Sequence, residues 1–319
     1  MNDCKIGLAL GGGSARGWSH IGVLRALNAA GIYPDIIAGT SIGAVVGGCY
    51  AAGELDALEQ FALDLTRRRV LGFLDFNISG SGLIHGQRLN NILETRLKGV
   101  AIESLEKRFV AVATEIGTGH ETWMARGHIV EAMRASYALP GIFKPVMIDG
   151  RWLFDGALVN PIPVSVCRAL GARYVIAVNV NTDVCGRGTV VTHMEALPPP
   201  TPEPEPQGDQ GLLARNSRAV KKLLQRQFFG RSENGPGISR VMMEAFNIVQ
   251  DRIARSRLAG DPPDIVIAPR LPAFGLFDFH RAEAMIQCGV AAAKRELDDI
   301  KREIAARRSS YGAVLARTA

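Results

Sequence analysis

The sequence predicts an α/β fold in which helices cover both faces of a mostly parallel sheet. Short apolar runs rich in β-branched residues alternate with segments of helical periodicity. Glycines follow the first two apolar runs directly, as expected where a strand ends in a turn. A composition of 47% hydrophobic and 21% charged residues is typical of a globular protein, and 319 residues allow one large domain or two smaller ones.

The predicted elements follow one another along most of the chain. Apolar runs predict strands over residues 5–10, 35–38, 109–114, 174–180 and 265–268. Periodic segments predict helices over residues 18–30, 42–52, 86–98, 129–137 and 163–170. The alternation of strands with helices favours a parallel sheet that is buried on both faces.

The alternation breaks after Asp183. Six of the nine residues in 198–206 are proline, which predicts an extended linker, because proline fixes φ and donates no backbone hydrogen bond. We therefore interpret 186–237 as an insertion in a domain that spans 4–298, followed by a charged C-terminal helix or tail at 299–319. The core is predicted to resume with a helix whose apolar residues are Ile238, Val241, Met242, Ala245 and Val249.

Several classes of protein are excluded by composition. The five cysteines form no C-x-x-C pair, which argues against a zinc ribbon or a disulfide scaffold and favours a reducing compartment. The apolar run at 6–10 is too short for the core of a signal peptide. Residues 36–53 carry no charge but contain five glycines, so they imitate a membrane span without matching one. We expect a cytoplasmic protein, with peripheral association at the inner face of the membrane as a further expectation, and we expect neither a metal nor a cofactor.

Positive charge is concentrated in one segment. Residues 212–258 contain ten Lys or Arg against three acids, although the whole chain carries a net charge of +6. Within 212–230 five basic residues and no acid accompany apolar residues at helical spacing, which predicts a basic amphipathic helix. Such a helix would contact an anionic membrane; the alternative is packing against the protein's own core or a second subunit. Nucleic acid is not expected as a partner, and a homo-oligomer is left open.

A G-x-S-x-G motif at 39–43 lies between a predicted strand and a predicted helix, where a nucleophile elbow belongs. In such an elbow a sharp turn raises the Ser41 hydroxyl above the sheet edge. Gly39 and Gly43 are expected to be glycines because a Cβ would clash in so tight a turn.

A glycine-rich loop follows the first predicted strand and contains Gly11, Gly12, Gly13, Arg16 and Gly17. The spacing does not fit a dinucleotide fingerprint, and Trp18 stands where a P-loop requires lysine. Adjacent glycines at a strand end are also able to direct backbone N–H groups at one oxygen. The favoured interpretation is therefore an oxyanion hole formed by the N–H groups of Gly11 to Gly13.

A nucleophilic serine needs a base, and none of the six histidines lies in a persuasive context. His20 is interpreted as a structural hydrogen-bonding residue. Asp155 ends an apolar run and is followed by Gly156 and Ala157, so partial burial would raise its pKa and make it a better base. The alternatives are an α/β-hydrolase triad that uses His280 and a regulatory protein with a vestigial site.

The glycine-rich loop that ends in Arg16-Gly17, the G-x-S-x-G and the downstream D-G-A together resemble the patatin-like phospholipases. The stretch 134–143 also resembles a block of that family, and the likeness extends over 4–183 and 238–298 to the short bacterial members related to neuropathy target esterase. The resemblance implies a three-layer α/β/α sandwich and lipid acyl hydrolase activity on phospholipids or lysophospholipids. It also implies a Ser–Asp dyad, with Ser41 as nucleophile and Asp155 as general base.

Overall fold

The structure, a computed structural model, describes residues 4–66, 87–182 and 238–318. Its strands are β1 (Ile6–Leu10), β2 (Ile36–Thr40), β3 (Arg108–Glu115), β4 (Glu121–Met124), β5 (Val146–Ile148), β6 (Arg151–Asp155), β7 (Tyr174–Val178) and β8 (Ile265–Ile267). Its helices are α1 (Ser19–Ala29), α2 (Ile42–Ala51), α3 (Leu55–Leu63), α4 (Gln87–Leu97), α5 (Ile129–Ser136), α6 (Val164–Ala169), α7 (Ile238–Gly260) and α8 (Ala282–Thr318).

In the described residues the eight strands form one sheet in the order β5-β6-β3-β2-β1-β7-β8, and β4 also pairs with β3. The neighbours from β3 through β2, β1 and β7 to β8 are parallel. The pairs that join β3 to β4, β3 to β6 and β5 to β6 are antiparallel. The predicted mostly parallel sheet is therefore confirmed, and it carries an antiparallel edge that the sequence pattern did not reveal.

Helices cover both faces of this sheet. One apolar cluster joins the strands to α1, α2, α5 and α8, and a second joins the opposite face to α6 and to Ala254 of α7. Every residue of β1, β2 and β7 is buried, as expected for strands covered on both sides. This arrangement is the predicted three-layer α/β/α architecture.

The contact between α1 and α8 is unusually close. A Cβ on Gly22 of α1 would lie 1.9 Å from the carbonyl oxygen of Ile286, and a Cβ on Gly289 of α8 would lie 1.9 Å from that of Ser19. The backbones of the two helices touch at these glycines. Ile300 and Ile304 of α8 are buried in the core, so the predicted boundary at 298/299 has no counterpart in this continuous helix.

The helix predicted after the insertion exists as α7, but apolar residues that predicted it are exposed. Val241, Met242 and Val249 are exposed, whereas Gln250 and Asp251 are buried. The prediction that the apolar stripe marks the buried face was therefore wrong: polar groups of α7 turn inward.

The chain divides into two compact units, residues 1–185 with 249–319, and residues 186–248. The described part of the second unit is the beginning of α7. The proline-rich run at 198–206 and the predicted basic helix at 212–230 lie outside the described residues.

Residues 36–53, which imitate a membrane span in the sequence, belong partly to strand β2 and partly to the short helix α2. Among the described residues, none of the helices combines the length and the apolar character needed to cross a membrane.

Candidate active site

Ser41 stands in a sharp turn between β2 and α2. Its backbone has φ 56° and ψ −126°, which a residue with a side chain rarely adopts. Such a conformation costs on the order of 1–3 kcal/mol and persists only where the surroundings impose it. A Cβ on Gly39 would lie 2.4 Å from the Gly43 carbonyl oxygen, and one on Gly43 would lie 2.2 Å from that of Leu10. The two flanking glycines therefore have the steric reason that the motif predicted.

Ser41 and Asp155 form a hydrogen-bonded pair. The Ser41 hydroxyl donates to Oδ2 of Asp155 at 2.6 Å, and the Ala157 N–H donates to Oδ1 at 2.9 Å. Asp155 ends β6 and its side chain is almost fully buried. Burial raises the pKa of Asp155 from 3.8 to about 7, although the hydrogen bonds from Ser41 and Ala157 oppose this rise. The carboxyl group is thus poised to exchange a proton near neutral pH.

Three hydroxyl groups hold the elbow and the end of β6 in place. Ser136 accepts a hydrogen bond from the Ser41 N–H at 2.9 Å and donates to the Val112 carbonyl at 2.6 Å. Thr114 donates to the Asp155 carbonyl, and Thr40 donates to the Asn160 carbonyl. Ser136 lies in the family-like stretch 134–143, but its role depends on contacts that the sequence does not display.

The backbone hydrogen bonds of the glycine-rich loop contradict one expectation. The Gly11 N–H donates to the Val178 carbonyl at 3.1 Å and the Gly12 N–H donates to the Pro161 carbonyl at 3.0 Å. The expectation that both amides hold an oxyanion was therefore wrong, because each already has a backbone acceptor. For the Gly13 N–H the described residues offer no hydrogen-bond acceptor. Gly13 is thus the candidate donor within the predicted trio.

Gly12 borders the space beside the nucleophile. A Cβ on Gly12 would lie 3.4 Å from the Cβ of Ser41, 3.3 Å from that of Ala157 and 3.1 Å from Nε2 of Gln250. The absence of a side chain on Gly12 therefore leaves room between the loop and Ser41.

Gly17 and Gly156, the other glycines predicted for the site, lie where neighbouring chain comes close. A Cβ on Gly17 would lie 2.2 Å from Cγ2 of Ile42, and one on Gly156 would lie 2.2 Å from the Val112 carbonyl oxygen. Both positions thus require glycine for packing around the elbow and the end of β6.

A buried polar network lies behind the loop. Arg16 donates from Nε to the Phe274 carbonyl at 2.9 Å and from its terminal nitrogen to Oδ1 of Asn181 at 3.1 Å. Asn181 in turn donates from Nδ2 to the Gly12 carbonyl and to Oε1 of Gln250, both at 3.0 Å. Arg16 was predicted as a loop residue, whereas Asn181 and Gln250 carry no motif and were missed.

The two histidines that entered the sequence argument and are described occupy different settings. His20 is fully buried, with Nε2 2.8 Å from the Gly11 carbonyl oxygen, and burial lowers its pKa to about 4. It is therefore neutral at ordinary pH and supports the loop. His280 is half-buried in a short 3-10 helix (Phe279–Arg281). The Ser41 hydroxyl, which a triad would place against a histidine, donates to Asp155. His193 lies outside the described residues.

No group of three or more His, Cys, Asp or Glu side chains that could hold a metal ion occurs in the described ranges.

Comparisons with known proteins show which family the chain belongs to. The model of the patatin-like phospholipases matches residues 8–168, a range that includes Ser41 and Asp155. An uncharacterised NTE family protein of Mycobacterium tuberculosis is 33% identical to the chain, over 92% of the chain and 91% of that protein. A lysophospholipase of Coccidioides immitis is 28% identical over 94% of the chain, which covers 18% of that longer protein.

Among solved structures, VipD from Legionella pneumophila aligns with a TM-score of 0.44 and 13% identity, over 93% of this chain and 67% of that one. The family model covers about half of the chain, and the mycobacterial relative covers nearly all of it. The chain belongs to the patatin-like phospholipase family and is a serine hydrolase that acts on lipid esters.

Proposed function

We propose that the protein hydrolyses the acyl ester of a phospholipid or lysophospholipid through a Ser41–Asp155 dyad and an acyl-enzyme. The observation that carries this proposal is the hydrogen bond of 2.6 Å from the Ser41 hydroxyl to a buried carboxylate. A nucleophile in contact with its base, on a strained turn at a helix N-terminus, is the arrangement that acyl transfer requires.

In the first half of the reaction, Asp155 takes the Ser41 proton while Oγ attacks the ester carbonyl carbon. The electron pair of the C=O double bond moves onto oxygen. When the tetrahedral intermediate collapses, Asp155 returns the proton to the leaving alcohol oxygen and an acyl-Ser41 ester remains. A base with a pKa of about 7 suits both directions of this transfer near neutral pH.

In the second half, a water molecule gives its proton to Asp155 and attacks the acyl carbon. A second tetrahedral intermediate forms and collapses, the Ser41 oxygen recovers the proton and the fatty acid leaves. The same carboxylate therefore acts as base and as acid in both halves.

The negative oxygen of each intermediate needs N–H donors. We assign this role to the Gly13 N–H, together with the N–H of Ile42 at the first position of α2. The first N–H groups of a helix have no intrahelical acceptor, and the residue after the nucleophile is a common oxyanion donor in elbows of this kind. Gly11 and Gly12 support the loop through their own backbone hydrogen bonds.

The substrate class rests on the family and on the charge pattern. The fungal relative is named a lysophospholipase. In this chain, residues 212–230 carry five basic residues and no acid, and we propose that this segment contacts anionic lipid at the inner face of a membrane. Deletion of 198–237 is expected to lower binding to vesicles of phosphatidylglycerol while turnover of a soluble short-chain ester persists. Unchanged vesicle binding would instead make the segment a packing or oligomer element.

The proposed activity is tested with a panel of lysophosphatidylcholine, diacyl phosphatidylcholine and p-nitrophenyl butyrate, offered to the wild type and to Ser41→Ala. The wild type is expected to release fatty acid from the lipid esters, and Ser41→Ala is expected to release none. A Ser41→Ala variant that is as active as the wild type would contradict the proposal, as would a folded wild type that cleaves no ester.

A further inference from the structure

Gln250 borders the space beside the nucleophile and belongs to α7, a helix outside every motif of the site. Its side chain is 3% exposed, and its Oε1 accepts a hydrogen bond from Nδ2 of Asn181 at 3.0 Å. Asn181 and Arg16 are buried as well, with exposed fractions of 9% and 6%. The three side chains form one chain of hydrogen bonds behind the glycine-rich loop.

The donors and acceptors of these three hydrogen-bonded side chains have only one consistent arrangement. The Arg16 guanidinium carries donor atoms only. The Asn181 atom that it contacts at 3.1 Å must therefore be the carbonyl oxygen. The NH2 group of Asn181 therefore lies on the other side, where it donates to the Gly12 carbonyl and to Gln250. The Gln250 atom that accepts this bond must be Oε1, which leaves its NH2 group to point elsewhere.

That NH2 group points into the space beside the nucleophile. The Cβ position of Gly12 would lie 3.1 Å from Nε2 of Gln250 and 3.4 Å from the Cβ of Ser41, so the amide nitrogen and the nucleophile border the same gap. An N–H donor at the border of this gap is directed where a substrate oxygen would lie.

We propose that the Gln250 NH2 group is a side-chain donor of the oxyanion hole. In the tetrahedral intermediate it donates a hydrogen bond to the former carbonyl oxygen of the ester, alongside the backbone N–H donors. This inference rests on the proposed function, since it assigns a group to the same acyl transfer by Ser41.

The test compares Gln250→Met, which has similar length and no donor, and Gln250→Glu, which has the same shape and an acceptor in place of the donor. Gln287→Met, at an exposed position of α8, is the matched control. Loss of one oxyanion donor lowers kcat by about 10²–10³-fold. Both Gln250 variants are expected to fall in kcat by about this factor with KM little changed and circular dichroism preserved, and the control is expected to match the wild type.

Asn181→Asp tests the orientation argument separately. The new carboxylate accepts hydrogen bonds only, so the Gln250 NH2 group would turn toward it and away from Ser41. The kcat of this variant is expected to fall too. A folded Gln250→Met or Asn181→Asp variant with wild-type kcat would overturn the inference.

The activity of Ser41→Ala distinguishes an error in the role of Gln250 from an error in the proposed function. If Ser41→Ala is inactive on p-nitrophenyl butyrate while Gln250→Met has wild-type kcat, only the role of Gln250 is wrong. If Ser41→Ala keeps full activity, the dyad itself is wrong.

Discussion

The Ser41 hydroxyl donates to Asp155 across 114 residues of sequence, at 2.6 Å. The two residues meet because β2 and β6 both lie beside β3 in the sheet, one parallel to it and one antiparallel. Ser41 follows the carboxyl end of β2 and Asp155 ends β6. The hydrogen bond therefore follows from the antiparallel edge of the sheet.

The first prediction is a pH profile. Burial raises the pKa of Asp155 to about 7, and the base is active only when ionised. We expect kcat/KM for p-nitrophenyl butyrate to rise as pH increases through about 7 and to level off above it. A profile that is flat between pH 5 and 9 would show that a different group accepts the serine proton.

The second prediction concerns stability. The folded state binds a proton at Asp155 up to a pKa of about 7, whereas the unfolded state releases it near 3.8. The free energy of unfolding therefore falls as pH rises through this window and is constant above it. Asp155→Asn carries no charge at any pH, so at pH 8 it is expected to be more stable than the wild type by about 2–4 kcal/mol.

Urea denaturation at pH 8 and at pH 3.5 measures this difference. At pH 3.5 the carboxyl group is protonated in the folded state and mostly protonated in the unfolded state. The advantage of Asp155→Asn is therefore expected to shrink toward zero. An advantage that grows as pH falls would have the wrong sign and would exclude a raised pKa.

The third prediction concerns the gap beside the nucleophile. Gly12→Ala places a methyl group 3.4 Å from the Cβ of Ser41 and 3.1 Å from Nε2 of Gln250, in the space that an ester would use. We expect kcat/KM to fall by about 10²-fold, and stability to fall by about 1 kcal/mol as the neighbours adjust. Gly260→Ala is the control, because a Cβ there has no heavy atom within 4 Å. Full activity of a folded Gly12→Ala would place the substrate elsewhere.

The fourth prediction is that Ser41 and Asp155 act as one unit. Members of such a unit are strongly non-additive, so Ser41→Ala with Asp155→Asn is expected to be little worse than either single variant. His280→Ala is the comparison, and it should retain most of the wild-type kcat/KM. A loss with His280→Ala as large as that with Ser41→Ala, at unchanged circular dichroism, would favour a triad.

Much of the fold, and the two residues that form the Ser41–Asp155 hydrogen bond, could be predicted from local sequence. Residues of β1, β2 and β7 form unbroken apolar runs because both faces of those strands are covered. Ser41 lies in a motif, and Asp155 ends an apolar run before a glycine. In both cases the residue type and its neighbours carry the physical reason for the prediction.

The rest depends on contacts between distant parts of the chain. Strand β5 has three residues, too few to show a period, so the antiparallel edge was not seen. The backbone acceptors of Gly11 and Gly12 are Val178 and Pro161, which no local pattern connects to the loop. In α7 the apolar periodicity indicated the wrong face. The residues that α7 buries include the polar Gln250, which accepts a hydrogen bond from Asn181, a residue far away in the sequence.

The most direct test of the dyad is kcat/KM of Asp155→Asn on lysophosphatidylcholine, measured at pH 8 beside the wild type. The asparagine keeps the shape of the side chain and can accept no proton from Ser41, and general-base catalysis is worth about 10²–10⁴-fold. We therefore predict a loss of at least about 10²-fold in a variant that is folded. A folded Asp155→Asn that retained more than about a tenth of the wild-type kcat/KM, a loss too small for a general base, would contradict the Ser41–Asp155 mechanism.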